Sequence, residues 1–100
     1  MTSETLEERV IDLVSLKSGH PLWKLNRSSS FYRLGIDGDD ATELMEEYAR
    51  IFDVDMSGFK PSEYYGPEAA SISLLIGGLP QKDLTIDLLI RSAEAQKWLG

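Results

Sequence analysis

The sequence contains no cysteine and a single histidine, His20, among its 100 residues. The absence of cysteine excludes disulfides, zinc–thiolate sites and thiol nucleophiles, and a lone histidine excludes a histidine-rich metal site. Positive charge is also scarce, because 10 Lys and Arg oppose 17 Asp and Glu, which gives a formal net charge of −7. This balance argues against a nucleic acid or an anionic lipid surface as the partner, since each requires a basic face.

Long apolar runs are missing as well. No run approaches the roughly 18–20 residues that a membrane-spanning helix needs, and the acidic, polar start of the chain differs from the basic and then apolar order of a signal peptide. We therefore expect a cytoplasmic protein with no membrane span. A hydrophobic content of 42% in 100 residues supports one small core, so we predict a single domain over residues 1–100.

The negative charge is concentrated in one stretch. Residues 37–55 hold eight acidic side chains and one basic side chain, a balance of 1 − 8 = −7, and the rest of the chain is neutral. The position of the charge is therefore more informative than its total.

Apolar spacing predicts a first helix over about residues 4–17, with Leu6, Val10, Leu13 and Val14 on its buried face. Thr5 and Glu8 have the spacing of a capping box. Residues 18–21, Ser-Gly-His-Pro, end this helix, because glycine permits a left-handed cap and proline cannot continue the helix. We expect a long loop from there to Gly35.

A second helix is predicted over about residues 40–52, capped by Asp39 or Asp40. Its apolar positions share one face, and its charged residues share the other. The buried face comprises Ala41, Leu44, Met45, Tyr48 and Phe52, and the outer face comprises Glu43, Glu46, Glu47 and Arg50. The outer face is therefore acidic, with Arg50 spaced to pair with neighbouring carboxylates.

The remainder predicts a short helical turn near residue 61 and a last helix from Thr85, its cap, to about Trp98. That helix is apolar on two sides, so we expect it to be covered on both. We expect the apolar run between them, about residues 70–80, to form a small extended insert. Periodicity alone does not distinguish a strand from a helix in a run this short. The fold class is all-α, a helical bundle of three long helices and one short one.

The aromatic residues are predicted to be core rather than a ligand cage, with the two tryptophans also able to anchor an interface. They are Trp23, Tyr48, Phe52, Phe59, Tyr64 and Trp98. His20 and the serines at 28–30 are interpreted as loop residues.

The stretch from Leu34 to Leu44 resembles acyl carrier proteins. In that family, leucine-glycine is followed by a variable residue, aspartate, serine and leucine, and then by an acidic helix with a glutamate-leucine pair. The matching positions here are Leu34-Gly35, Asp37, Glu43-Leu44 and Phe52-Asp53-Val54. The resemblance covers roughly the first two-thirds of the chain through short motifs, and it implies the helical bundle of that family.

The serine that receives the 4′-phosphopantetheine arm in that family aligns with Gly38, and Asp39 follows where leucine or methionine is usual. Glycine has no hydroxyl to form the phosphodiester. Asp39 and Asp40 also add negative charge where the phosphate would lie, which opposes the anion-favouring helix N-terminus. The resemblance therefore implies no 4′-phosphopantetheine at the usual position.

A resemblance over nearly the whole chain is to a group of bacterial acyl-carrier-like proteins with no assigned activity. It rests on the turn Ile-Asp-Gly-Asp-Asp at 36–40, the segment Phe-Asp-Val at 52–54, the stretch Tyr-Tyr-Gly-Pro-Glu at 64–68 and the closing Lys97-Trp98 pair. This resemblance supports the same fold and supplies no activity.

A calcium loop starting at Asp37 is not supported. An EF-hand requires an oxygen ligand at its fifth position, glycine at its sixth and glutamate at its twelfth, and these positions hold Ala41, Thr42 and Tyr48. A glycine-permitted turn leading into an aspartate cap explains the same residues, so we predict no metal site.

Two functions remain. The first is a non-catalytic interaction domain that binds a basic surface of a partner protein, such as a fatty-acid or polyketide-type enzyme, with plain solvation of the acidic face as the alternative interpretation. The predicted docking residues are Asp37, Asp39, Asp40, Glu43, Glu46 and Glu47. The second is a genuine acyl or peptidyl carrier that a dedicated transferase loads at another hydroxyl, such as Ser30 or Thr42.

We do not expect an enzyme acting alone, because the sequence shows no nucleophile with a base, no metal set and no nucleotide loop. It predicts a monomer or a weak dimer.

Overall fold

The computed structural model describes residues 5–36, 38–60, 64 and 83–100. In this part of the chain the elements are helix α1 (Leu6–Ser18), a 3-10 turn (Leu22–Lys24), and helices α2 (Phe31–Leu34), α3 (Gly38–Phe52) and α4 (Ile86–Ala95). The prediction of an all-α bundle with three long helices is confirmed. The predicted helical turn near residue 61 and the insert at about 70–80 lie outside the described residues.

The ends of α1 form as the sequence indicates. The Glu8 backbone N–H donates to Thr5 Oγ1 at 3.1 Å, and the Gly19 N–H donates to the Ser15 carbonyl at 2.9 Å. Gly19 has φ +79°, a left-handed conformation in which any other residue would be strained. The predicted stripe is buried at Val10, Leu13 and Val14, and Leu6 is partly buried.

The predicted loop from residue 18 to 35 contains two short elements that the sequence analysis missed. Ser30, interpreted as a loop residue, is the N-cap of α2, and its Oγ accepts a hydrogen bond from the Arg33 N–H at 3.2 Å. Gly35 closes α2 with φ +73°. Helices of three or four residues complete barely one turn, so they leave no apolar period to detect.

Helix α3 begins at Gly38, two residues earlier than predicted. Asp39 and Asp40 therefore lie in its first turn rather than at its cap, which corrects the capping prediction. Carboxylates favour both positions, because both place negative charge at the positive end of the helix dipole. All five predicted apolar side chains are buried, at Ala41, Leu44, Met45, Tyr48 and Phe52.

Helix α4 is capped by Thr85, as predicted, and the Leu88 N–H donates to Thr85 Oγ1 at 3.2 Å. It ends at Ala95, where Gln96 takes a left-handed conformation with φ +58°, so the prediction of a helix to Trp98 is wrong by three residues. The expected burial on two sides is met only in part. Six of the ten residues are buried, Ile86, Leu88, Leu89, Ile90, Ser92 and Ala93, but Ala95 and Leu99 on the second side are exposed.

Five of the six aromatic residues that were predicted to be core enter it. Tyr48, Phe52, Tyr64 and Trp98 are buried, and Phe59 packs against them. Trp23 is 81% exposed, so the prediction that it belongs to the core is wrong. Its 3-10 turn lies on the outside of the bundle. The exposure of such a short turn cannot be predicted from the spacing of apolar residues.

Candidate docking surface on helix α3

Four carboxylates are exposed on α3, within its first nine residues. They belong to Asp39, Asp40, Glu43 and Glu46, and we call this set the acidic face. Asp37, the other predicted docking residue near the turn, lies outside the described residues.

The acidic face is positioned by the buried side of the same helix. Leu44 and Tyr48 are fully buried, and the Tyr48 hydroxyl donates to the Leu89 carbonyl of α4 at 2.6 Å. Burial of a leucine or an aromatic ring is worth roughly 1.5–3 kcal/mol, so the helix is held firmly in its orientation. The carboxylates opposite are therefore presented on a fixed scaffold.

Glu47 differs from the acidic face, although the sequence groups it there. Its carboxylate pairs with Lys17 Nζ of α1 at 3.6 Å and with Arg50 Nη2 at 2.6 Å. The Arg50 hydrogen bond, helped by the charge of Lys17, lowers the pKa of the Glu47 carboxyl below its ordinary value. Because Glu47 already pairs with two cations of the same chain, we leave it out of the acidic face.

The acidic face has no such compensation. Among the described residues, no ion pair joins Asp39, Asp40, Glu43 or Glu46 to a basic side chain. Like charges three and four residues apart on a helix repel by a few tenths of a kcal/mol per pair. The face therefore favours an incoming cation and disfavours a phosphate.

The two hydroxyls considered as alternative attachment points have different surroundings. Ser30 is 3% exposed, and its Oγ is engaged as the cap of α2, so a loading enzyme cannot reach it without opening that helix. Thr42 is exposed on α3, between Ala41 and Glu43 of the acidic helix. Of these two residues, Thr42 is the exposed one.

Two features are absent from the described residues. No group of three or more His, Asp or Glu side chains in that part of the chain is placed to hold a metal ion. None of its helices is long and apolar enough to cross a bilayer.

Sequence reasoning missed an apolar groove between α1 and α3. The groove has a volume of about 260 Å³ and is lined by Arg9, Asp12, Leu13, Leu16, Ile51 and Phe52. Leu16 is 79% exposed, and the Arg9 guanidinium lies 5.1 Å from the centre of the Phe52 ring. The groove depends on how two helices pack, so only Leu16, an apolar residue outside the buried stripe, could have indicated it.

A basic segment was also missed. No Asp or Glu occurs between Asp12 and Asp37, whereas residues 13–36 include Lys17, Lys24, Arg27 and Arg33. The absence of one charge sign over 24 residues was the signal that could have identified this segment.

A family model described as a protein of unknown function (DUF1493) matches residues 3–100 of the chain. No curated protein and no solved structure matches it. The family description carries no activity and does not mention acyl carrier proteins, so that resemblance stays a prediction.

Proposed function

Because the chain belongs to the DUF1493 family of proteins of unknown function, we propose a function from its own surface: it is a non-catalytic interaction domain. The acidic face of α3 binds a basic surface of a partner protein. The observation that carries this proposal is the set of four exposed carboxylates without an ion-pair partner among the described residues.

The energetics of α3 support this assignment. Glu43 and Glu46 are three residues apart, and Glu43 also lies three and four residues from Asp40 and Asp39, so the carboxylates repel one another in the free protein. A partner with Lys or Arg side chains at that spacing relieves the repulsion and is steered toward the face before contact. Screening confines the attraction to about 8 Å at physiological salt, so binding weakens as salt rises.

The proposed domain is an atypical member of the acyl carrier type. Its resemblance to that family aligns Gly38 with the serine that holds 4′-phosphopantetheine, and glycine offers no hydroxyl there. Asp39 and Asp40 occupy the first turn of α3 and repel a phosphate at the same place. By this resemblance the partner is an enzyme of the fatty-acid or polyketide type, bound without an acyl chain.

The test is charge reversal on the acidic face. The double variant Glu43→Lys/Glu46→Lys should lower partner capture from the native host by about tenfold, because two exposed pairs are each worth up to about 1 kcal/mol. The matched control is Glu94→Lys, an exposed carboxylate on α4, which should leave capture unchanged. Quantitative mass spectrometry of the captured proteins, at low and high salt, measures both.

Equal capture by the double variant and the wild type at low salt would remove the proposal. Glu94→Lys changes the net charge by two units and the double variant by four, so a loss of binding free energy in Glu94→Lys half as large as in the double variant would indicate a response to total charge alone. This would also count against a localised docking face.

The alternative is a carrier loaded at Thr42, an exposed residue on α3. Incubation with a broad-specificity phosphopantetheinyl transferase, followed by intact mass, distinguishes the two. A gain of one phosphopantetheine arm that disappears in Thr42→Val would favour the carrier, and an unchanged mass favours the interaction domain.

A further inference from the structure

The chain separates its charges into two adjoining segments. Residues 13–36 carry four basic side chains and no acidic one, whereas residues 37–55 carry −7. Two of the four cations are already paired, Lys17 with Glu47 and Arg27 with Glu7 and Asp87. Lys24 and Arg33 are exposed, and neither forms an ion pair with any described residue.

These two cations accompany the most exposed aromatic rings of the described chain. Trp23 is 81% exposed and Tyr32 is 70% exposed, and Leu22 beside them is 53% exposed. The Lys24 ammonium lies 5.4 Å from the Trp23 ring centre. We call Leu22, Trp23, Lys24, Tyr32 and Arg33 the cationic–aromatic surface.

The support beneath this surface is ordered. His20 Nε2 lies 2.8 Å from the Leu34 carbonyl, which ties the start of the 3-10 turn to α2. The Ser15 hydroxyl donates to the His20 carbonyl at 2.6 Å, which ties the same loop to α1. Exposed tryptophan, tyrosine and arginine on an ordered support are the residue types that dominate binding energy at protein interfaces.

The groove between α1 and α3 has the complementary chemistry. Its walls are apolar at Leu16 and Ile51, and Asp12 adds a carboxylate. The one lining cation, Arg9, is stacked over the Phe52 ring. An apolar side chain with a neighbouring cation fits such a groove, and the chain displays that combination at Trp23 and Lys24.

We propose that the cationic–aromatic surface of one copy binds the α1–α3 groove of a second copy. Trp23 enters the groove between Leu16 and Ile51, and Lys24 approaches Asp12. The contact joins unlike surfaces, so opposite charges meet although each chain carries a net charge of −7. The contact is confined to one groove and one turn, so the association is weak and reversible.

Sedimentation equilibrium of the chain from micromolar to millimolar concentration tests the association. The weight-average mass should rise above that of one chain, and the tryptophan emission should shift to the blue over the same range. Trp98 is already buried, so the shift reports Trp23 and should be absent in Trp23→Phe at concentrations where that variant associates.

Two single variants locate the two surfaces. Trp23→Ala removes the inserted ring and Leu16→Glu fills the groove with charge, and each should weaken association by about tenfold or more. Both residues are highly exposed, so neither change disturbs the core. The control Leu99→Glu changes an apolar residue of 44% exposure outside both surfaces and should associate as the wild type does.

Mixing the variants gives the sharpest result. At a concentration where the wild type associates, neither Trp23→Ala nor Leu16→Glu should associate alone, but an equimolar mixture should form a complex, because one intact Trp23 surface meets one intact groove. A single-chain mass at millimolar concentration, wild-type association of either variant, or a mixture that stays monomeric would each overturn the proposal. Neither variant alters the acidic face, so these results are independent of partner capture.

Discussion

At the scale of single residues, Tyr48 connects the two helices that form the centre of the bundle. Its ring is fully buried on α3, and its hydroxyl donates to the Leu89 carbonyl of α4. Burial raises the pKa of the Tyr48 phenol above its ordinary value, because the charged form would lose its hydration. The native state therefore retains this proton at a pH where the unfolded chain releases it.

This proton makes stability depend on alkaline pH. Below the pKa of tyrosine in the unfolded chain, about 10, the free energy of unfolding of the wild type should exceed that of Tyr48→Phe by about 1 kcal/mol. This is the contribution of one buried hydrogen bond. Above that pH only the unfolded state is deprotonated, so the advantage should fall by about 1.4 kcal/mol per pH unit. Urea denaturation from neutral to alkaline pH measures the difference between the two proteins.

The comparison includes its own control. Tyr32→Phe removes a hydroxyl from an exposed ring and should have the same free energy of unfolding as the wild type at neutral pH. A difference between wild type and Tyr48→Phe that stays constant through alkaline pH would contradict the argument from burial.

At the scale of elements, the turn between α2 and α3 depends on a left-handed glycine. Gly35 has φ +73°, and a Cβ added there would contact nothing within 4 Å, so an alanine would suffer backbone strain alone. Gly35→Ala should lower the free energy of unfolding by about 1 kcal/mol. Gly58 is equally open but has no left-handed φ, so Gly58→Ala should be neutral or stabilising by up to about 1 kcal/mol.

Thermal or urea denaturation of the two variants checks this pair. Equal changes in the free energy of unfolding would contradict this. They would show that the reduced entropy of the unfolded chain, which both substitutions cause, outweighs the strain of the left-handed geometry at residue 35.

The long helices could be predicted from the sequence and the short ones could not. Apolar spacing over three turns or more identified α1, α3 and α4, and Thr5 and Thr85 marked two of their starts. Helix α2 spans four residues, so its cap Ser30 had no apolar period after it. Trp23 was wrongly predicted to be core for a similar reason. The apolar character of a side chain does not show whether a short turn points it toward the core or toward solvent.

The candidate site divides in the same way. The acidity of α3 is local information and was visible in the sequence. The neutralisation of Glu47 by Lys17 is a contact between residues 30 positions apart, and the groove beside it requires α1 and α3 to be packed. Such properties belong to pairs of elements, so reading one helix at a time could not reveal them.

At the scale of the whole molecule, α4 is fastened to the rest of the bundle at both ends. At its start, the Phe31 N–H donates to the Leu84 carbonyl and the Ile86 N–H to the Ser29 carbonyl. Beyond its end, the Asp55 N–H donates to the Gln96 carbonyl and the Trp98 N–H to the Asp55 carbonyl. Arg27 adds ion pairs to Glu7 and Asp87, although exposed pairs of this kind contribute little.

The second attachment leads to a prediction about Trp98. Its indole packs edge-on to Phe59 at 4.9 Å and to Tyr64 at 5.7 Å between ring centres, and its backbone holds the segment after α3. Trp98→Ala should lower the free energy of unfolding by about 3–5 kcal/mol, which approaches the whole stability of a small domain. Leu99→Ala, next in the chain but 44% exposed, should cost less than about 1 kcal/mol.

The milder Trp98→Phe separates local from global loss, because it retains an aromatic ring in the cluster. Hydrogen exchange should then quicken at the amides of Asp55 and of residue 98, which bridge the two segments, while the Leu89 amide inside α4 remains protected. Equal acceleration at all three amides would mean that the bundle opens only as a unit. Selective acceleration at the first two amides would show that the segment after α4 separates from Asp55 before the helices open, including α3, which presents the acidic face.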